Sequence, residues 1–164
     1  MRLGSMVGAM GVGIMRAAMD AALTFAKRND QGGAVKVVER QSVADLLISI
    51  QIKIDTARLL SWKAASAIDS QIPGAALVCN EAKIYGSETC VEALAEAMRV
   101  VGISSYSIDY PFVRLMEDAL CLPIFDGGNQ GVRRRNIQKM MLDDDFDPLT
   151  VAFGQLPAQV NGAH

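Results

Sequence analysis

Residues 77–102, LVCNEAKIYGSETCVEALAEAMRVVG, carry the pattern that decides the fold of this 164-residue chain. Aliphatic side chains recur there every seven residues, with two more filling the same face: Leu77, Ile84, Val91, Leu94, Met98 and Val101. A seven-residue repeat is typical of a helix that packs at a shallow angle against other helices. Gly102 then ends the pattern. The stretch therefore predicts one long member of a helix bundle.

Two long helical patterns precede this stretch. The first recurs at spacings of three and four and ends near Lys27 and Arg28, where positive charges suit the negative end of a helix dipole. The second runs from about Val37 to the turn at Pro73 and Gly74. Both are long enough to be antiparallel partners of residues 77–101.

Two shorter helices are predicted to follow. Pro111 fits the first turn of a fourth helix that Pro123 stops, and a fifth helix extends to about Leu142. The fold class is therefore all-α: an up-down four-helix bundle with a short extra C-terminal helix. We expect residues 1–147 to form this domain and residues 148–164 to be a flexible tail.

Composition excludes several classes of function. The net charge of −2 gives no electrostatic reason to expect a nucleic-acid partner. His164 is the only histidine and ends the chain, so neither a histidine-based triad nor a histidine metal site is expected. Three cysteines, Cys79, Cys90 and Cys121, lie in apolar runs and are interpreted as buried free thiols. Trp62 is assigned to the core.

The apolar start of the chain, residues 3–15, is interpreted as a core helix because it is too short to span a bilayer and its helical period continues beyond it. We therefore expect no membrane partner. A cytoplasmic location is the default expectation, with mitochondria and peroxisomes left open.

Four motifs occur in a recognisable order. They are MRAAMDAA at 15–22, ERQSVAD at 39–45, AKIY at 82–85 and YPFVRL at 110–115. Together they resemble the C-terminal domain of the flavin-dependent acyl-CoA dehydrogenase superfamily, over roughly residues 6 to 147. The resemblance implies a helix-bundle domain of a flavoenzyme, and it implies that the family's N-terminal helical and middle β domains lie outside this chain.

A fifth motif indicates which branch of the superfamily the chain resembles. Residues 125–135 read FDGGNQGVRRR, which is similar to the F-D-G-G-N-x-G-x-R-R-R of the nitroalkane oxidase branch, where acyl-CoA dehydrogenases have a catalytic glutamate followed by Gly-Thr. The resemblance implies that Asp126 is the catalytic base and that Arg133 positions it. Outside this motif, an Asp-Gly-Gly before a helix is more often an N-cap.

The resemblance also implies FAD as the cofactor and no metal. The residues that it assigns to the cofactor are Arg28, Gln41, Gly102, Gly127, Gly128 and Asn129. Where the family offers a basic residue just before the double glycine, this chain has Gln31, and Arg28 is the candidate substitute.

Three functions follow from these observations. The first is part of a flavin-dependent oxidase that converts a nitroalkane and oxygen to an aldehyde or ketone, nitrite and hydrogen peroxide. The second is an acyl-CoA dehydrogenase or oxidase acting on the CH–CH bond of acyl-CoA. The third is a non-catalytic helical oligomerisation module. We expect a small-molecule substrate, a homo-oligomer, and no activity from the isolated chain.

Overall fold

The computed structural model describes residues 2–147, which form helices and no β-strand. The α-helices in this part of the chain are α1 (Arg2–Arg28), α2 (Gln41–Asp69), α3 (Ala75–Val101), α4 (Phe112–Cys121) and α5 (Arg134–Met141). The predicted all-α fold is confirmed. The predicted tail at 148–164 lies outside the described residues.

The second helix is shorter than its sequence pattern predicts. Val37–Glu39 form a separate 3-10 turn, and Arg40 is extended at ψ 125°, so α2 begins at Gln41. The helix ends at Asp69 because Gln71 leaves the helical region at φ 51°. The backbone conformation at each end therefore makes α2 shorter than its apolar sequence pattern.

Contacts between helices give the direction of each. Gly4, Gly8 and Gly11 of α1 meet α3 at residues 79, 82 and 86 in the same order, so these two helices run parallel. Ser49 of α2 meets α3 at residue 96, whereas residue 64 meets it at 79, so α2 is antiparallel to both.

The fourth helix completes the up-down order. Tyr110, just before α4, contacts the Phe25 ring near the end of α1, with ring centroids 5.6 Å apart. The Pro123 carbonyl, just after α4, lies 3.4 Å from Nζ of Lys83 in the first half of α3. Helix α4 therefore runs antiparallel to α3.

Helix α3 is the centre of the bundle, because it packs against each of the other four helices. Its buried residues lie on nearly every face and include Leu77, Ala82, Cys90, Ala93, Leu94 and Ala97. Most of them are small or aliphatic, which lets neighbouring helices approach from several directions.

Glycines set the distance between α1 and α3. A Cβ added to Gly11 would lie 2.4 Å from the carbonyl oxygen of Gly86, and a Cβ on Gly86 would lie 2.7 Å from Cα of Gly8. No side chain fits between the two backbones at this crossing. The parallel pair is therefore fixed by backbone contact.

Helix α1 is also, within the described residues, the one helix long and apolar enough to cross a membrane, by length and composition alone. Its glycine face, however, packs against α3 in the bundle.

Two side chains that the sequence assigns to the interior are exposed. Trp62 is 63% exposed on α2, because its neighbours Ser61 and Ala64 occupy the face that turns inward. Cys121 is exposed at the end of α4, whereas Cys79 and Cys90 are buried free thiols as predicted. Burial raises the pKa of Cys90 to about 12.

Gly11→Ala is expected to lower the free energy of unfolding by about 1–3 kcal/mol, because the added methyl forces α1 away from α3. Gly13→Ala is the matched control: it lies on the same helix with nothing within 4 Å of an added Cβ, and is expected to stabilise by about 0.5–1 kcal/mol. Urea unfolding of both variants measures the difference. Equal effects at the two positions would contradict the close crossing.

Candidate active site

The predicted base lies in a tight connection between α4 and α5. The amide of Phe125 donates to the carbonyl of Cys121 (3.0 Å), and that of Gly128 donates to the carbonyl of Phe125 (3.2 Å). Asn129 closes the connection, because its amide donates to the carbonyl of Pro123 at 2.8 Å. Residues 123–129 therefore form one compact loop, called the base loop below.

The centre of the base loop is in an unfavourable backbone conformation. Asp126, Gly127 and Gly128 have φ of 55°, 83° and 67°. Glycine adopts such angles freely, but aspartate does so at a cost of about 1–2 kcal/mol. A non-glycine residue persists there only where its surroundings determine it, which is common at functional sites.

A six-residue π-helical turn, Gly128–Arg133, leads from the base loop into α5. The residue that caps this turn is Gly127, and no side-chain cap hydrogen bond is present there. The carboxylate of Asp126 instead pairs with Arg133, so the N-cap interpretation of the Asp-Gly-Gly sequence does not describe its contacts.

Asp126 and Arg133 form a largely buried ion pair. Nη2 of Arg133 donates both to Oδ2 of Asp126 and, at 2.8 Å, to the Asp126 main-chain carbonyl. The two side chains are 20% and 14% exposed. Nη1 of Arg133 also donates to Oδ1 of Asn80 on α3 at 3.4 Å. The arginine therefore fixes both the side chain and the backbone of Asp126 while a fraction of the carboxylate stays accessible.

Asn129 anchors the base loop to α3. It is 2% exposed, and its Nδ2 donates to Oγ of Ser87 (2.9 Å) and to Oε1 of Glu88 (3.1 Å). Its Oδ1 accepts from Nζ of Lys83 at 2.7 Å. Glu88 in turn accepts from Arg134 at 2.8 and 2.9 Å. The network connects α3, the base loop and the start of α5.

Lys83 is fully buried beneath this loop. Its pKa lies below the ordinary lysine value, first because burial removes water from the ammonium and then because Arg133 is nearby; Asp126 and Glu88 act in the opposite direction. Sequence reasoning missed its role. The available signal was a charged residue on the buried face of α3, between Cys79 and Ser87 at helical spacing.

The predicted site residues fall into two groups. Asp126, Arg133, Gly127, Gly128 and Asn129 lie together in or beside the base loop. The remaining candidates lie at the far end of the bundle, because the Lys83-to-Gly102 stretch of α3 is about 28 Å long at 1.5 Å per residue.

At that far end, Arg28 is the last residue of α1 and Gln41 the first of α2, where its side chain donates to Asp45 at 2.8 Å. Gly102 ends α3 at φ 71° with open space where a side chain would be. Gln31 reaches the same end, since its Nε2 lies 3.5 Å from the Val101 carbonyl. The three predicted residues therefore share one end of the bundle, and they are not brought to the base loop.

One feature at the far end suits a polar ligand. Ser105, in the 3-10 turn Gly102–Tyr106, is 1% exposed, and its hydroxyl has no hydrogen-bond partner among the described residues. A buried hydroxyl without a partner costs free energy that an incoming ligand could recover. Together with the exposed cation of Arg28, this donor set fits the polar and phosphate groups of a dinucleotide such as FAD.

Comparison with known proteins agrees with this architecture. The family described as "Acyl-CoA dehydrogenase, C-terminal domain" matches residues 4–142. Nitroalkane oxidase of Podospora anserina is 47% identical over 156 residues, which is 93% of this chain and 36% of that protein. Nitroalkane oxidase of Fusarium oxysporum is 40% identical over 153 residues, covering 92% of this chain and 35% of that protein.

A solved structure is similar as well. It belongs to a study of the roles of one aspartate and one arginine, seven residues apart, in the reaction of the flavoprotein nitroalkane oxidase. It superimposes with a TM-score of 0.91 at 39% identity, covering 94% of this chain and 36% of the other. The chain thus spans about a third of the length of these relatives.

The buried charge of Lys83 predicts a specific pH dependence of stability. Because its folded pKa is lowered, the unfolded chain binds more protons than the folded chain as pH rises from the folded pKa towards 10.5, and stability rises over that window. Lys83→Met removes this contribution. Urea unfolding from pH 7 to pH 10 is therefore expected to show wild type gaining stability relative to Lys83→Met. Parallel pH curves for the two proteins would contradict the lowered pKa.

Proposed function

The chain belongs to the family of acyl-CoA dehydrogenase C-terminal domains, and we propose that it carries the catalytic base of a flavin-dependent enzyme that oxidises nitroalkanes. The observation behind the proposal is the Asp126–Arg133 pair. These residues are seven apart, the spacing of the aspartate and arginine studied in the related flavoprotein. Because the chain spans about a third of its relatives, the activity is proposed for the protein that contains it.

The base loop supplies what proton abstraction from carbon requires. A nitro group acidifies the neighbouring C–H bond, and a carboxylate held in one orientation can take that proton. Asp126 is held by a backbone and a side-chain contact to Arg133, and it is partly accessible to a substrate. Asp126 is therefore the proposed base and Arg133 its positioning residue.

The proposed overall reaction balances with one water. A primary nitroalkane, oxygen and water give an aldehyde, nitrous acid (as nitrite and a proton) and hydrogen peroxide. The proton on the carbon goes to Asp126, and the carbon–nitrogen bond breaks with its electron pair on nitrite. FAD, when bound, supplies the two-electron acceptor for the substrate and passes the electrons to oxygen.

The residues for FAD are proposed from both ends of the bundle. Gly127, Gly128 and Asn129 lie beside the base, whereas Arg28, Gln41 and Gly102 lie at the far end of α3. Two copies of the chain in an oligomer could present one end each to a shared cofactor site.

The acyl-CoA alternative is supported by the family as a whole but is disfavoured by the base itself. Aspartate is one methylene shorter than glutamate, which retracts the carboxylate by about 1.5 Å. An acyl thioester seated for a glutamate would lie beyond its reach. An assay with nitroethane and with acyl-CoA separates the two activities.

Asp126→Asn is expected to lower kcat/KM for nitroethane by about 10²–10⁴-fold in the flavin-loaded protein that contains this chain, because an amide cannot accept the proton. Nitrite release and oxygen consumption measure the loss. Asp69→Asn, an exposed carboxylate at the end of α2, is the matched control and is expected to retain activity.

Two outcomes would redirect the assignment. Wild-type protein that ignores nitroethane but oxidises acyl-CoA with an electron-accepting dye would favour the acyl-CoA alternative. An oligomer that takes up no flavin and leaves both substrates unchanged would favour the oligomerisation module.

We also propose that the chain forms a homo-oligomer through the outer face of α2. Ile48, Ile52, Leu59 and Trp62 recur there at helical spacing and are 55–63% exposed. Apolar stripes of this kind on a protein surface mark interaction sites, and most soluble oligomers join identical copies. A second copy of this chain is the proposed partner.

Trp62→Glu is expected to shift the protein to a smaller assembly, because a charge buried in an apolar interface loses its hydration without gaining a partner. Sedimentation-velocity centrifugation measures the change. Leu142→Glu places the same charge on a side chain that is 76% exposed beyond α5, and is expected to leave the assembly unchanged. The interface would lie elsewhere if Trp62→Glu sedimented as wild type does.

A further inference from the structure

Lys83 is the most unusual residue of the bundle. Its exposure is 0%, although lysine is almost never fully buried without a charged partner. The hydrogen bonds of its ammonium go to two neutral acceptors, Oδ1 of Asn129 at 2.7 Å and the carbonyl of Pro123 at 3.4 Å. The ring of Phe125 lies 6.0 Å from Nζ. A buried charge is thus held almost entirely by one loop.

Both acceptors belong to the base loop, and they bracket Asp126 symmetrically. Pro123 is three residues before Asp126 and Asn129 three residues after it. The two are also joined to each other, since the amide of Asn129 donates to the Pro123 carbonyl at 2.8 Å. The ammonium therefore sits at the point where the two ends of the loop meet.

The orientation of the Asn129 amide depends on the same contact. Its Oδ1 faces the lysine donor while its Nδ2 faces the acceptors Ser87 and Glu88. Without a donor at residue 83, the buried Oδ1 would lose its hydrogen bond, and the reason for the observed orientation would be lost with it. Asn129 would then bind α3 less firmly.

The base loop requires such contacts because its backbone conformation is unfavourable. Asp126 occupies the left-handed region at φ 55°, which a side chain disfavours, between anchors three residues to either side. Arg133 holds the carboxylate itself but directly follows the same loop in sequence, and its hydrogen bond to α3 is the 3.4 Å one to Asn80. The contacts of Pro123 and Asn129 to Lys83 and its neighbours on α3 are shorter or more numerous, and they connect this assembly to the centre of the bundle.

We propose that Lys83 is a positioning residue for the catalytic base: its buried ammonium closes the base loop through Asn129 and Pro123 and thereby fixes where Asp126 stands. The inference rests on the proposed function for its catalytic meaning. Its structural part, that the ammonium holds the loop, is independent of any substrate.

A purely structural role for Lys83 is the competing explanation. In that case a methionine of similar length would fill the same space at little cost to the loop, since the surrounding positions on α3 are apolar or small. The two explanations differ in what happens to the base loop, while both permit a folded bundle.

The first experiment measures the loop in the chain itself by hydrogen exchange. In Lys83→Met, the amides of Gly128 and Asn129 are expected to exchange at least about tenfold faster than in wild type, while amides of α1 and α2 are unchanged. Lys53→Met is the matched control: that lysine is partly buried and pairs with Glu96 at 2.6 Å, away from the loop. Unchanged loop exchange in Lys83→Met overturns the proposal.

The second experiment uses the flavin-loaded protein and two forms of one substrate. Nitroethane must lose its proton to the base, whereas its anion, ethyl nitronate, enters the reaction already deprotonated. Lys83→Met is expected to lower kcat/KM for nitroethane by about ten- to a hundredfold and to leave that for ethyl nitronate within about twofold of wild type. Equal losses on both forms would overturn the positioning role.

The two experiments distinguish failure of the proposed function from failure of the role proposed for Lys83. If wild-type protein consumes neither form, the proposed function fails while the exchange result still decides whether Lys83 holds the loop. Should Lys83→Met not fold, Lys83→Gln keeps an amide donor while removing the charge, and the same loop exchange and the same pair of substrates apply to it. The glutamine amide carries no charge and ends one bond short of the lysine nitrogen, so it cannot close the loop as the ammonium does. Retention of both wild-type loop exchange and wild-type nitroethane activity in Lys83→Gln would therefore show that the ammonium is not required and would overturn the proposal.

Discussion

The backbone contact between α1 and α3 is the constraint on which the rest of the structure depends. Gly8, Gly11 and Gly86 bring two parallel helices so close that no side chain fits between them. This proximity fixes the rotation of α3, because only one face of that helix can accept the approach. The neighbouring face of the same helical turns then presents Lys83 and Ser87 to the base loop. Packing at the core and chemistry at the loop are thus coupled through one helix.

The base loop illustrates how a folded protein maintains a conformation that its sequence alone disfavours. Three consecutive residues with positive φ would not persist in an isolated peptide. Here the loop is held from two sides: Arg133 binds Asp126 directly, and Lys83 binds both ends of the loop from below. Burial of the ammonium is itself unfavourable, which its lowered pKa reflects. A concentration of buried polar contacts on one short segment is characteristic of functional sites.

The division of the predicted cofactor residues between two ends of the bundle bears on assembly. A single copy presents the base at one place and Arg28, Gln41 and Gly102 at another. The apolar outer face of α2 lies on the same domain and has no covering element among the described residues. The proposed homo-oligomer would cover this surface and bring the two ends of different copies together. The chain spans about a third of the length of the relatives that it matches.

The sequence by itself determined the helical class, the order of the helices and the identity of the candidate base. Seven-residue spacing, glycines and prolines at helix ends, and the FDGGNQGVRRR motif are local signals that survive without coordinates. Only the tertiary structure decided that Trp62 is exposed, that α2 begins after an extended Arg40, and that Lys83 lies beneath the base loop. The physical reason is that burial and partner choice depend on which face of each helix meets another. That choice is made by contacts between residues that are far apart in sequence, such as Lys83 with Pro123 (40 positions) and with Asn129 (46 positions), and no local pattern contains it.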